Sequence, residues 1–171
     1  MLSKLKLNQL YFKDTQFANL MTRRIFNILL IANPYDAFML EDDGRIDEKI
    51  FNEYTSLSLR YPPRFTQAST CEEALAQLST VPFDLIICMP GTGDNDSFDV
   101  ARHIKSLYEH IPMVILTPFS HGITKRIANE DLSPFEYIFC WLGNTDLLVS
   151  IIKLIEDKMN LEHDVNEVGV Q

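Results

Sequence analysis

The sequence predicts a doubly wound α/β domain built on five parallel strands. Three observations lead there. Short β-rich runs recur along the chain, segments of helical period separate them, and runs such as NILLI at 27–31 and MVILT at 113–117 are so continuously apolar that both their faces must be covered.

Residues 27–31 read as the first strand, and residues 64–68 as a weaker second one, cut off from what precedes it by Pro62-Pro63. The third is DLIIC at 84–88 and the fourth is 113–117, entered through Ile111-Pro112. An aromatic-rich fifth, 137–140, follows Ser133-Pro134. Thr70 with Glu73 three residues on forms a capping box that opens a helix over 71–78. Phe98, Ala101, Ile104, Lys105 and Tyr108 mark a helix with one face on the sheet. Asn144 or Thr145 caps a last helix through Leu148, Ile151, Ile152 and Ile155.

Residues 35–61 are longer than one crossover needs. They read as a first crossover helix with an insertion, in which the acidic turn Glu41-Asp42-Asp43-Gly44 precedes a second helical stretch over 46–59. Leu10, Phe17, Leu20 and Met21 give the N-terminal arm an apolar helical face, read as packing on the domain, with docking to a partner as the alternative. From Leu161 onward the chain is polar and is expected to lack regular structure. The organisation is therefore an arm at 1–25, a domain at 26–159 and a tail at 160–171.

At 171 residues one domain with two extensions is long enough to bury a true core. The net charge of −9, from 24 acids against 15 bases, argues against a nucleic-acid partner, because phosphate contacts need a basic surface. No run approaches the ~18 apolar residues of a membrane span, and the first residues lack a signal peptide's apolar stretch. Cys71, Cys88 and Cys140 are odd in number and lack metal spacing, so no disulfide framework or zinc site is expected; a reducing cytoplasm follows. His103, His110, His121 and His163 show no ligand spacing, and the GTG at 91–93 lacks the third glycine of a phosphate-binding turn. No cofactor and no metal are expected.

The order of these segments, over residues 26–158, resembles the receiver domain of two-component response regulators: NILLI, then EEALAQL, FDLIICMP, IPMVILTPF and YIFCWLGNTDLL. That resemblance, with right-handed crossovers, implies a flavodoxin-like sheet of order 2-1-3-4-5. It also implies a site of two acids after the first strand, an Asp after the third, a Thr or Ser on the fourth and a Lys on the fifth. A hard divalent cation needs the oxygens, and a transferred phosphoryl group needs its charge neutralised. Carried onto this chain, the acidic pair falls on Ala32 and Asn33, the phosphoacceptor on Met89 and the lysine on Trp141; only Thr117 matches.

The resemblance therefore implies a degenerate phosphorylation pocket, a pseudo-receiver without catalytic residues. Asp36, Asp94 and Asp96 are displaced acids that offer an alternative, a phosphoacceptor receiver with a relocated site; their other role is to cap turns and helices. A further alternative is a small-molecule sensor, since open parallel sheets bind ligands at strand C-termini. Residues 17–66, chiefly Tyr35-Asp36-Ala37-Phe38 and Glu41-Asp42-Asp43-Gly44, also resemble the N-terminal region of bacterial phosphoenolpyruvate synthase or pyruvate phosphate dikinase-like proteins. This implies a regulatory module that contacts neighbouring domains of one polypeptide or a separate protein.

Overall fold

The computed structural model describes residues 23–40, 46–59, 61–89, 97–118, 125, 127–141 and 145–168. The amphipathic arm at residues 10–21 lies outside them. Residues 25–151 form one compact unit, and residues 23–24 and 152–168 are the described part of a second.

Within the first unit the chain runs β1 (Asn27–Ile31), α1 (Pro34–Leu40), α2 (Ile46–Ser56), β2 (Arg64–Ala68), α3 (Cys71–Thr80), β3 (Leu85–Cys88), α4 (Ser97–Leu107), β4 (Met113–Pro118) and β5 (Tyr137–Trp141). The helix α5 (Thr145–Val168) follows. The strands form one parallel sheet in the order β2-β1-β3-β4-β5, the order expected.

Alternation of side chains divides the strands between two faces. Leu29, Ile31, Ile86, Cys88, Met113 and Ile115 join Ala74 and Leu78 of α3 and Phe98, Ala101 and Ile104 of α4 in one core cluster. The intervening residues Ile28, Leu30, Leu85, Ile87, Val114 and Leu116 are equally buried. α2 buries Ile46, Ile50 and Tyr54, at the i, i+4, i+8 spacing of one helical face. Burial on both faces explains why these strands read as unbroken apolar runs.

Asp84, read as the first residue of the third strand, sits instead at a bend just before it. Its Oδ2 accepts from the backbone N–H groups of Phe26 at 2.8 Å and Asn27 at 3.0 Å, and its own N–H donates to the Asn27 carbonyl. This carboxylate clamps the start of β1 to the start of β3.

The capping box of α3 is present in altered form. The Glu73 N–H donates to Thr70 Oγ1 at 3.1 Å, but the Glu73 carboxylate accepts from Ser69 N–H, one residue before the cap. α2 ends in a Schellman pair: Leu59 N–H donates to the Tyr54 carbonyl and Ser58 N–H to that of Thr55, with Ser58 at φ 54°. Glycine adopts that left-handed conformation without a Cβ penalty, whereas serine does not.

The polar tail expected from residue 160 is not there as such, because α5 continues through Val168. The misreading has a physical cause: acidic residues dilute the apolar pattern after Met159, yet Leu161 and Val165 still recur at helical spacing. The insertion at 35–61 resolves into two separate helices, α1 and α2.

Two substitutions test these local arguments by urea denaturation. Thr70→Ala is expected to lower stability by about 1 kcal/mol, because it removes the α3 cap. Ser58→Gly is expected to raise it by ~0.5–1 kcal/mol, because the left-handed position is kept without its penalty.

Candidate functional site

The C-terminal ends of β1, β3, β4 and β5 lie side by side in the sheet, and the sequence-selected positions stand there. Ala32 follows the last residue of β1 and Met89 the last residue of β3, while Thr117 is the penultimate residue of β4 and Trp141 the last of β5. Ile31 pairs with Cys88, Cys88 with Ile115, Thr117 with Cys140 and Pro118 with Trp141, so all four positions sit at one edge. Backbone bonds hold them: Met89 N–H donates to the Ile31 carbonyl at 2.8 Å and Ala32 N–H to the Ala68 carbonyl at 3.1 Å.

Their chemistry is mainly apolar. Ala32, Met89 and Thr117 are buried, and Trp141 is partly buried. The Thr117 hydroxyl donates to the Phe139 carbonyl at 3.3 Å, which engages it across the β4–β5 ladder.

Asn33 has a defined local task. Its Oδ1 accepts from Asp36 N–H at 2.7 Å, its carbonyl accepts from Ala37 N–H, and its Nδ2 donates to Asp36 Oδ2 at 2.7 Å. With Pro34 at the first helical position, Asn33 is the N-cap of α1 and Asp36 its partner in the first turn. The sequence carries this signal as Asn-Pro-x-Asp, a form of capping box, which the reading of Asn33 as a vacated acid position passed over. Burial pushes the Asp36 carboxyl above its ordinary value, although the amide of Asn33 acts the other way.

Of the displaced acids, only Asp36 falls in the described residues; Asp94 and Asp96 lie outside them. No cluster of three or more His, Cys, Asp or Glu side chains suited to a metal ion occurs among the described residues. No described helix is long and apolar enough to cross a membrane.

The cysteines divide by environment. Cys88 lies wholly inside the core and its thiol is pushed up to about 12 by burial, whereas Cys140, two strands away on β5, is exposed. A thiol whose value is raised on folding favours the folded state while it stays protonated. That contribution is complete below the unfolded thiol's ordinary value and is lost as pH rises toward 12.

No family model matches the chain, and no curated protein matches it. Similarity appears in three dimensions. The signal receiver domain of a LuxO repressor protein from Vibrio parahaemolyticus superposes with a TM-score of 0.56 at 18% identity, covering 85% of this chain and 98% of that one. A CheY-like response regulator receiver domain from Methanospirillum hungatei gives 0.58 at 14%, covering 81% and 98%. The response regulator TrrA from Thermotoga maritima, solved with Mg²⁺ and beryllofluoride, gives 0.52 at 19%, covering 75% and 97%. At these identities the likeness establishes the receiver fold.

Alkylation with iodoacetamide at mildly alkaline pH is expected to label Cys140 rapidly in the native protein and to leave Cys88 unmodified until urea unfolds the chain. Mass spectrometry of the peptides reads the order directly.

Proposed function

We propose that this chain is a pseudo-receiver: a folded regulatory or interaction module on a receiver scaffold, without phosphoryl chemistry of its own. The observation that carries the reading is the pair Ala32 and Met89, buried apolar side chains at the strand ends where the resemblance calls for carboxylates. A hard cation has nothing to bind on a methyl or a thioether, and an acyl phosphate has no carboxylate to form on at Met89. Asn33 supports the same reading, since its side chain is spent on capping α1.

On this reading the module acts through its surface, and its partner is a neighbouring domain of the same polypeptide or a separate protein. The finer form is an N-terminal regulatory module of a phosphoenolpyruvate synthase or pyruvate phosphate dikinase-like protein. Its support is the resemblance of residues 17–66, and the downstream reading frame tests it. Continuation into nucleotide-binding and phosphohistidine domains is the expected result.

Adding Mg²⁺ with beryllofluoride is expected to leave the backbone amide resonances around Thr117 in place. A saturable shift there favours instead a receiver that uses a displaced acid, Asp36, Asp94 or Asp96. Met89→Asp, incubated with acetyl phosphate, is expected to remain unlabelled because the acidic pair and the lysine are still missing. Efficient labelling of that variant refutes the pseudo-receiver argument.

A further inference from the structure

The second unit carries a feature with no role in the strand-end site. The last turns of α5 are covered on one flank and open on the other. Met159, Asn160 and His163 lie within an arc of about 100° on the helix, and all three are half-buried. Leu161, Glu162, Val165 and Asn166 fall outside that arc and are exposed, Leu161 at 66% and Val165 at 71%. Helical stability in proteins comes mostly from the packing of one face, so a helix that continues to Val168 with one flank half-buried has a packing partner on that flank.

The covered flank is also the one that meets the other end of the chain. The Arg23 N–H donates to Asn160 Oδ1 at 3.2 Å. Arg23 and Asn160 belong to the same compact unit, whose described parts are residues 23–24 and 152–168.

We propose that the packing partner is the chain's own N-terminal arm: residues 10–22 fold back antiparallel to α5, along the flank of Met159, Asn160 and His163. The arm is joined directly to Arg23, which already stands at that flank, so it competes there at the high effective concentration of a tethered segment; a separate protein or a second copy has no such advantage. In helical form its Leu10, Phe17, Leu20 and Met21 lie within an arc of about 100°, which gives it one apolar face to lay down. Net charge is complementary as well, since residues 1–24 carry five bases against one acid and residues 152–171 five acids against two lysines. The Arg23 contact sets the register. Equal rise along two antiparallel helices brings Leu20 level with His163 and Lys13 to the C-terminal end of α5, where the helix dipole favours a cation. This inference is independent of whether the strand-end site accepts phosphate.

Amide hydrogen exchange of the full chain is expected to show residues 160–168 protected. Combining Phe17→Asp with Leu20→Asp is expected to speed exchange there by on the order of tenfold, while the amides of β1, β3 and β4 keep their rates. A carbodiimide, which condenses a lysine with a carboxylate in contact with it, is expected to join Lys13 to Asp164 or Glu167 within one chain. Unchanged exchange in the variant overturns the inference, and so do Lys13 links confined to residues 25–151. Links found only between two chains, or protection that grows with protein concentration, overturn it too, because the occupant is then another copy. If the variant unfolds, the cross-link in the unaltered chain decides.

Discussion

Burial of the three central strands on both faces is the constraint from which the rest of this molecule follows. β1, β3 and β4 present side chains to both sides of the sheet at almost no exposure, so each face needs its own cover, and parallel pairing needs connections long enough to cross over. Those connections are the helices. Parallel pairing places the C-termini of all five strands at one edge of the sheet.

The same constraint explains the small number of polar groups inside. Asp84 is placed where the sheet begins, and its carboxylate is satisfied by two backbone N–H groups of the β1 entry, so it supplies register where apolar contacts are not directional. Lys105 does comparable work at the β4 entry: its ammonium donates to the carbonyls of Glu109 and Ile111, tying the end of α4 to the turn that leads into the strand. Arg102, paired with Glu130 and Asp99, links α4 to the segment before β5, and both carboxylates raise the guanidinium's already high value. Polar groups thus fix the ends of elements whose middles are held by packing.

At the C-terminal edge, geometry and chemistry part company. The scaffold brings Ala32, Met89, Thr117 and Trp141 to the ends of adjacent strands, where Ala32, Met89 and Thr117 are buried and Trp141 is partly buried. Thr117 turns its hydroxyl to a neighbouring carbonyl. The proposed loss of phosphoryl chemistry rests on these strand-end residues, so a scaffold of this fold can retain a surface role whatever becomes of its site.

The sequence by itself determined the strands, because period, length and turn punctuation are local properties: β1 and β2 have the bounds read from it, and β3 to β5 differ by one residue at an end. It also determined which residue types stand at the strand ends. What it could not determine is what each polar side chain there is engaged in, since Asn33 reads as a vacated ligand until its amide is seen bonding Asp36 on the first turn of α1. Nor did it yield the length of α5, whose last turns carry many charges and whose helical continuity depends on apolar residues spaced further apart than a short window registers. Exposure of Leu154, Leu161 and Val165 was decided by the tertiary structure alone. A periodic apolar residue looks the same in a sequence whether a core covers it or water does; only the fold says which.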